Sequence, residues 1–217
     1  MDALSETLRV VQLSGAFFID GRFTAPWCYQ SPAAAVAAPF LDPGAERVVI
    51  FHLIIEGACW IETGNQPPLL VRAGEVALFP HGDAHRMGSE PGLTPAEGGD
   101  LAAVLSRRPG RLIHGGGGAR TRMACGYMAC DSRLARLLLR GLPTVVQVDV
   151  RAAEAVSWLE SSVNYALAEA RSPRPGGEGV LAKLSELLFV EVLRLHIARQ
   201  GEERIGWLAG IGDRIVG

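Results

Sequence analysis

GEVALFPHGDAH, Gly74 to His85, sets a glycine, a proline, a second glycine and a histidine around one short apolar strand. The spacing runs Gly74, five residues, Pro80, one residue, Gly82, two residues, His85. Gly74 can turn the chain into the strand with positive φ, and Pro80 and Gly82 bend it out again, so that His85 is presented at a defined point near a mouth. Outward from this stretch, Leu13 to Tyr127 reads as short apolar runs separated by glycine, proline and acidic turns. The candidate strands are Ala16 to Ile19, Val48 to Ile55, Ala58 to Thr63, Leu69 to Arg72, Glu75 to Phe79, Arg111 to His114 and Thr121 to Met128. That is the pattern of an all-β sandwich or barrel. Arg47 to Ile55 is apolar on both alternating faces, which calls for the barrel interior on one side and a further layer, such as helices, on the other.

Gly88 to Gly110 is rich in turn formers, reads as a long exposed excursion between strands, and carries at most one short helix around Leu101 to Leu105. After Asp131 the apolar period lengthens to that of a helix. Leu134, Leu137 and Leu138 mark a short helix ahead of Pro143, and Thr144 to Val150 reads as an extended linker. Ala152 to Arg171 is an amphipathic helix, broken by the prolines and glycines of Ser172 to Gly177. A second helix, about Glu178 to Arg199, repeats leucine at 181, 184, 188 and 195 and ends at Gly201. Two such helices on a short turn form an antiparallel hairpin, and their wide apolar stripes leave surface for the barrel or for a neighbouring subunit. The division expected is a β-barrel over 1–131 and a helical region over 132–217.

With 217 residues, 48% of them hydrophobic and 20% charged, the chain can bury one good core together with a helical appendage. No apolar run approaches the length of a spanning helix, and the start MDALSETLRVV lacks the order of a secretory signal, so a cytoplasmic location is expected. Cys28, Cys59, Cys125 and Cys130 follow neither a paired-cysteine zinc spacing nor a secreted disulfide framework. The net charge is −2, Lys183 is the only lysine and the arginines are scattered, which argues against tight nucleic-acid binding by charge alone.

The chemistry-bearing residues concentrate in the β half. His52 shares a strand face with Val48, Ile50 and Ile54, and so points into whatever that face covers. His81 and His85 stand four apart across a turn; Cys125 and Cys130 lie on opposite faces of their strand. Imidazoles and a thiolate suit zinc, which makes His52, His81, His85 and Cys125 the candidate metal set. The alternative is a packed Cys125 and a turn-capping His85. Trp27, Phe51, Trp60 and Phe79 are core aromatics or the wall of a cavity for a small apolar effector. Gly115 to Gly118 lacks the lysine and hydroxyl of a phosphate loop and reads as a hairpin loop, and no nucleophilic triad stands out.

Gly74 to His85 resembles the second motif of the cupin superfamily, small jelly-roll barrels. The likeness extends further. FHLIIEGACWIE (Phe51 to Glu62), RAGEVALFPHGDAHRM (Arg72 to Met87), HGGGGARTRMACGYMACD (His114 to Asp131) and LLRGLPTVVQV (Leu138 to Val148) together resemble the N-terminal cupin domain of AraC-type transcriptional regulators. So do PGGEGVLAKLSELLFVEVLRLHI (Pro175 to Ile197) and GWLAGIGD (Gly206 to Asp213). The resemblance implies a jelly-roll barrel followed by a helical hairpin. It implies a small-molecule effector, with His52, His81, His85 and Cys125 facing or rimming its pocket, a homodimer formed by the helices, and DNA contact through a helix-turn-helix module that is not within these residues. With the aromatic residues added by type, the candidate effector-binding set is His52, Trp60, Phe79 and His85. Enzymatic cupins carry two histidines one residue apart and a glutamate in a first motif. Here His52 is the only histidine of that strand, so a non-enzymatic sensor is expected over a metal-dependent isomerase or oxygenase.

Overall fold

The structure, a computed structural model, describes residues 13–41, 48–95, 111–130, 139–152, 156–172 and 174–200. In chain order these form β1 (Leu13–Thr24), β2 (Cys28–Ser31), α1 (Ala34–Leu41), β3 (Val48–Glu56), β4 (Ala58–Glu62), β5 (Leu69–Arg72), β6 (Glu75–Phe79), β7 (His85–Gly88), β8 (Arg111–Gly115), β9 (Arg120–Cys130) and β10 (Val146–Asp149). A single 3-10 turn (Val150–Ala152) then leads to α2 (Val156–Arg171) and α3 (Gly177–Gln200). A six-stranded sheet, β10-β6-β3-β9-β1-β8, faces a four-stranded sheet, β2-β7-β4-β5. The cupin jelly roll expected from the motif is therefore present, mainly β with helices after it.

β3 explains the layering. Its even-numbered side chains, Val48, Ile50 and Ile54, join Ile19, Phe23, Ile61, Val71, Phe79, Met87, Met123 and Tyr127 in the cluster between the two sheets. Its odd-numbered ones, Val49, Phe51 and Leu53, join a second cluster with Phe18, Val76, Leu78, Val148, Leu159, Leu167, Leu188, Phe189 and Val192. Because successive side chains of a strand point to opposite faces, a strand buried on both faces requires both layers. The helical hairpin is the second layer: α3 packs on β1, β9 and β10, while α2 packs on β1 and α3.

Four elements depart from the sequence reading. Thr144 to Val150, expected as a linker, contains β10, which pairs antiparallel with β6 from Val146↔Leu78 to Asp149↔Glu75 and closes that edge of the large sheet. A four-residue strand is too short for its alternation to stand out between a proline and a helix. β2, β7 and α1 were also not foreseen; Cys28–Ser31 and His85–Gly88 pair with each other, Ser31 opposite His85. The short helices read around Leu101 to Leu105 and Leu134 to Leu138 lie outside the described residues, as does Gly206 to Asp213.

The glycines of the opening motif have identifiable jobs. Gly74, at φ +83°, ties the β5–β6 turn to β3 and to the 3-10 turn after β10: its N–H donates to the Ile54 carbonyl at 2.8 Å, and its carbonyl accepts from Val150 N–H at 2.9 Å. Gly82, at φ +64°, sits where a Cβ would lie 2.2 Å from the Ala34 Cβ and 2.6 Å from the Val48 carbonyl oxygen. Neither the dihedral nor the space admits a side chain there. The resulting turn brings His85 into β7 with its ring pointing inward, where it is buried.

Candidate functional site

The interior between the sheets holds two histidines in contact. His52, midway along β3, lies between Ala77 of β6 and Cys125 of β9 in the strand register and is completely buried. Its Nε2 is 2.8 Å from Nε2 of His85. His85 Nδ1 donates to the Asp83 carbonyl at 2.9 Å. A neutral imidazole carries one proton, so this bond fixes the assignment along the pair. His85 Nε2 is then the acceptor, His52 Nε2 is the donor, and His52 Nδ1 is left as a buried lone pair without a partner. Phe79 stacks flat on His85, with ring centroids 3.8 Å apart and planes 5° from parallel, and meets His52 edge-on at 5.8 Å.

Both imidazoles are held neutral at pH 7. Burial pushes His52 well below its ordinary range, and the neighbouring His85 adds to the effect. Burial pushes His85 down to about 4, against a smaller opposing contribution from the Asp83 carbonyl. A low-dielectric interior disfavours the charged form of each ring, and a pair in contact cannot both carry a proton cheaply.

The same interior carries further polar atoms short of partners. Besides His52 Nδ1, the Tyr127 hydroxyl, the Ser31 hydroxyl and the Trp27 indole N–H are buried and unpaired. Tyr127 is held above its ordinary range by burial, and Ser31 is near enough to counter this in part, although the geometry is not that of a full hydrogen bond. Buried polar atoms are normally satisfied, so a group of them facing one apolar interior marks a place made to receive hydrogen bonds.

The sequence candidates separate accordingly. His52, His85 and Phe79 come together. Trp60 does not join them: on β4 the inward positions are Cys59 and Ile61, so the indole falls on the other face of the small sheet. His81 also lies apart, exposed, with Nε2 donating to the Leu142 carbonyl at 3.1 Å. Cys125 faces the interior opposite His52 in register, but burial pushes its thiol up to about 12, and Cys59 is raised further. These residues do not fit a zinc ion. Two ring nitrogens 2.8 Å apart are closer than two tetrahedral Zn–N bonds of about 2.0 Å allow. His81 is elsewhere, and among the described residues no three His, Cys, Asp or Glu side chains could hold a metal together.

The glycine run after His114 is a structural loop. The N–H groups of Gly116, Gly117 and Gly118 donate to the Thr24 carbonyl, the Thr24 hydroxyl and the Ala25 carbonyl at 2.8–2.9 Å, leaving none aimed at a phosphate. Tyr127, Ser31 and Trp27 were missed as polar site residues. Tyr127 was within reach of the sequence, since it stands two residues from Cys125 on the same strand face. Ser31 was not, because β2 itself was not foreseen.

The sequence model of a family described as cupin matches residues 2–198. Two proteins provisionally named AraC-like transcription regulators are similar over 79% of this chain and 56% of their own length. One, from Streptomyces lividans, is 31% identical and the other, from Streptomyces antibioticus, 28%. The chain thus spans little more than half the length of these relatives. ToxT of Vibrio cholerae, solved with an unsaturated fatty acid bound, overlaps 84% of this chain and 56% of its own at 8% identity and a TM-score of 0.40, a likeness too loose to carry an argument about the site.

Proposed function

The chain belongs to the cupin family, and from that premise we propose that it is the small-molecule-sensing domain of a bacterial AraC-type transcription regulator. The observation that carries the reading is the barrel interior: a neutral histidine pair ending in the unpaired His52 Nδ1, walled by Phe79 and accompanied by the Tyr127, Ser31 and Trp27 polar atoms. An uncharged small molecule with an apolar body and a hydrogen-bond donor matches that lining, whereas an ion would meet no compensating charge. The similarity to AraC-like regulators supports a regulatory rather than a catalytic use.

The route from ligand to output runs through β3, β6 and β9. Their inner faces line the interior, and their outer faces, at Phe51, Leu78 and Met128, share one apolar cluster with Leu159, Leu188 and Phe189 of the helices. A ligand with unequal affinity for two packings of the hairpin on the sheet would bias them, and with them a DNA-binding module lying outside these residues. Trp158, Tyr165, Val180 and Leu187 leave exposed apolar surface on the hairpin, which supports the isologous homodimer expected from the sequence. Among the described residues His52, His85 and Cys125 do not form a three-ligand metal set, so nothing there favours the metal-dependent isomerase or oxygenase over the sensor.

Thermal-shift screening of neutral aromatic alcohols and amides tests the sensor reading. A compound that raises the melting temperature of the native chain, and not that of a folded His52→Phe variant, supports it. Hits that stabilise both proteins equally count against it. Sedimentation of the chain tests the dimer, and a monomer at high concentration removes that part of the proposal.

A further inference from the structure

A second constellation lies on the outer face of the large sheet, beyond the reach of the helices. Along β1 the even-numbered side chains face outward, Phe18 beneath the hairpin and then Asp20 and Arg22. The Asp20 side chain is completely buried, yet four arginines from four elements converge on it. Arg22 donates from Nε at 3.1 Å and Nη2 at 3.0 Å, Arg122 of β9 from Nε at 3.0 Å and Arg171 of α2 from Nη1 at 3.2 Å; Arg111 of β8 approaches to 3.7 Å. Burial works to raise the Asp20 carboxyl, but Arg122 and Arg22 prevail and hold it below its ordinary value. One negative charge therefore gathers four positive ones in a chain whose net charge is −2.

Beside this hub opens a cleft of about 530 Å³, whose lining includes Arg22, Arg120, Arg122, His114, Ile113 and Glu56. Arg120 is exposed and, among the described residues, makes no ion pair, while Ile113 is 69% exposed. Arg22, Arg120 and Arg122 outnumber Glu56 and the buried Asp20 that two of them share, which leaves the cleft an excess of positive charge, and planar guanidinium forks match carboxylate and phosphate oxygens. The volume is that of a small-molecule site. A surface arginine normally disperses into solvent; Arg22 and Arg122 are fixed in one place by a carboxylate that is itself out of solvent, with Arg120 beside them.

We propose that this cleft binds a small organic anion bearing a carboxylate or phosphate, paired by Arg22, Arg120 and Arg122, with its apolar part resting on Ile113. The cleft is centred on Arg22, Arg120 and Arg122 and reaches the barrel rim at Phe23, His114 and Thr121, but its lining does not include the His52–His85 pair of the interior. Arg171 comes from the hairpin, so the anion would sit where sheet and helices share one charge cluster.

The test is titration of the chain with inorganic phosphate and, separately, with benzoate, followed by calorimetry and melting temperature, with ionic strength held constant by sodium chloride. Saturable binding of either anion beyond the chloride control is expected, and the tighter of the two identifies the head group. Arg120→Gln, at an exposed and unpaired position, is expected to weaken that binding about tenfold while leaving the melting temperature of the free chain unchanged. Tyr127→Phe, inside the barrel, is expected to leave it unaltered, which separates this site from the interior one. Neither anion exceeding chloride, or equal affinity in Arg120→Gln, overturns the proposal.

Discussion

Acidification from pH 7 to pH 5 should destabilise the protein through its interior histidines, by an amount that follows from their burial. His85 has an ordinary value of 6.5 and is held at about 4 in the fold. The unfolded chain therefore binds a proton between these two values that the folded chain refuses. Stability contributed by neutral His85 is complete above pH 6.5 and falls as pH drops toward 4. At about 1.4 kcal/mol per pKa unit, the difference amounts to about 3 kcal/mol in full, of which about 2 kcal/mol is lost between pH 7 and pH 5. His52 is lowered in the same direction by burial and by His85, and His196 on α3 by burial and Arg199. The informative quantity is thus the difference between the native chain and His85→Gln. Urea denaturation followed by circular dichroism at pH 7, 6 and 5 measures it. The native chain should lose about 2 kcal/mol more than the variant over this interval. Equal losses, or a stability flat to within about 0.5 kcal/mol in the native chain, would refute the claim that these rings are held neutral by burial.

The charge hub gives a second prediction: Asp20→Asn leaves Arg22, Arg111, Arg122 and Arg171 without their common counter-charge. This should cost about 3 kcal/mol, the low end for a broken buried pair because the arginines are partly exposed, and a loss under about 1 kcal/mol at pH 7 would contradict it. Gly82→Ala must adopt φ near +64° with its Cβ against Ala34 and the Val48 carbonyl. A loss of about 3 kcal/mol is expected, and an unchanged melting temperature would show that the turn relaxes freely. Tyr127→Phe removes a buried hydroxyl that has no full partner, so stability should stay within about 1 kcal/mol of the parent or rise; a loss above 2 kcal/mol would reveal a hydrogen bond the geometry does not contain.

What was legible in the sequence was mostly what period and punctuation determine. Leu69–Arg72 and Glu75–Phe79 match their expected bounds, and the two-faced apolarity of β3 correctly demanded a layer on each side. His52 and His85 were found because one shares a face with three apolar neighbours and the other ends a glycine-proline turn. The sequence reading groups them as ligands of one ion; the direct ring-to-ring hydrogen bond was not legible, since it joins strands of different sheets that are not hydrogen-bonded to each other. Trp60 was assigned to the pocket by residue type alone, while the alternation of β4 places Cys59 and Ile61 inward instead. The Asp20 cluster was hidden for a related reason: its arginines stand at positions 22, 111, 122 and 171, and scattered charge along a chain carries no sign that four elements will meet at one carboxylate.

The central claim is that the barrel interior, centred on His52 and His85, is where the effector binds. Long-range ¹⁵N–¹H correlation spectra of the imidazole rings, recorded while the screening hits are titrated in, test it most directly. The expected result is a saturable shift at His52 Nδ1, the unpaired acceptor, with His85 keeping its proton on Nδ1. Hits that bind and saturate while both rings remain unmoved would contradict it.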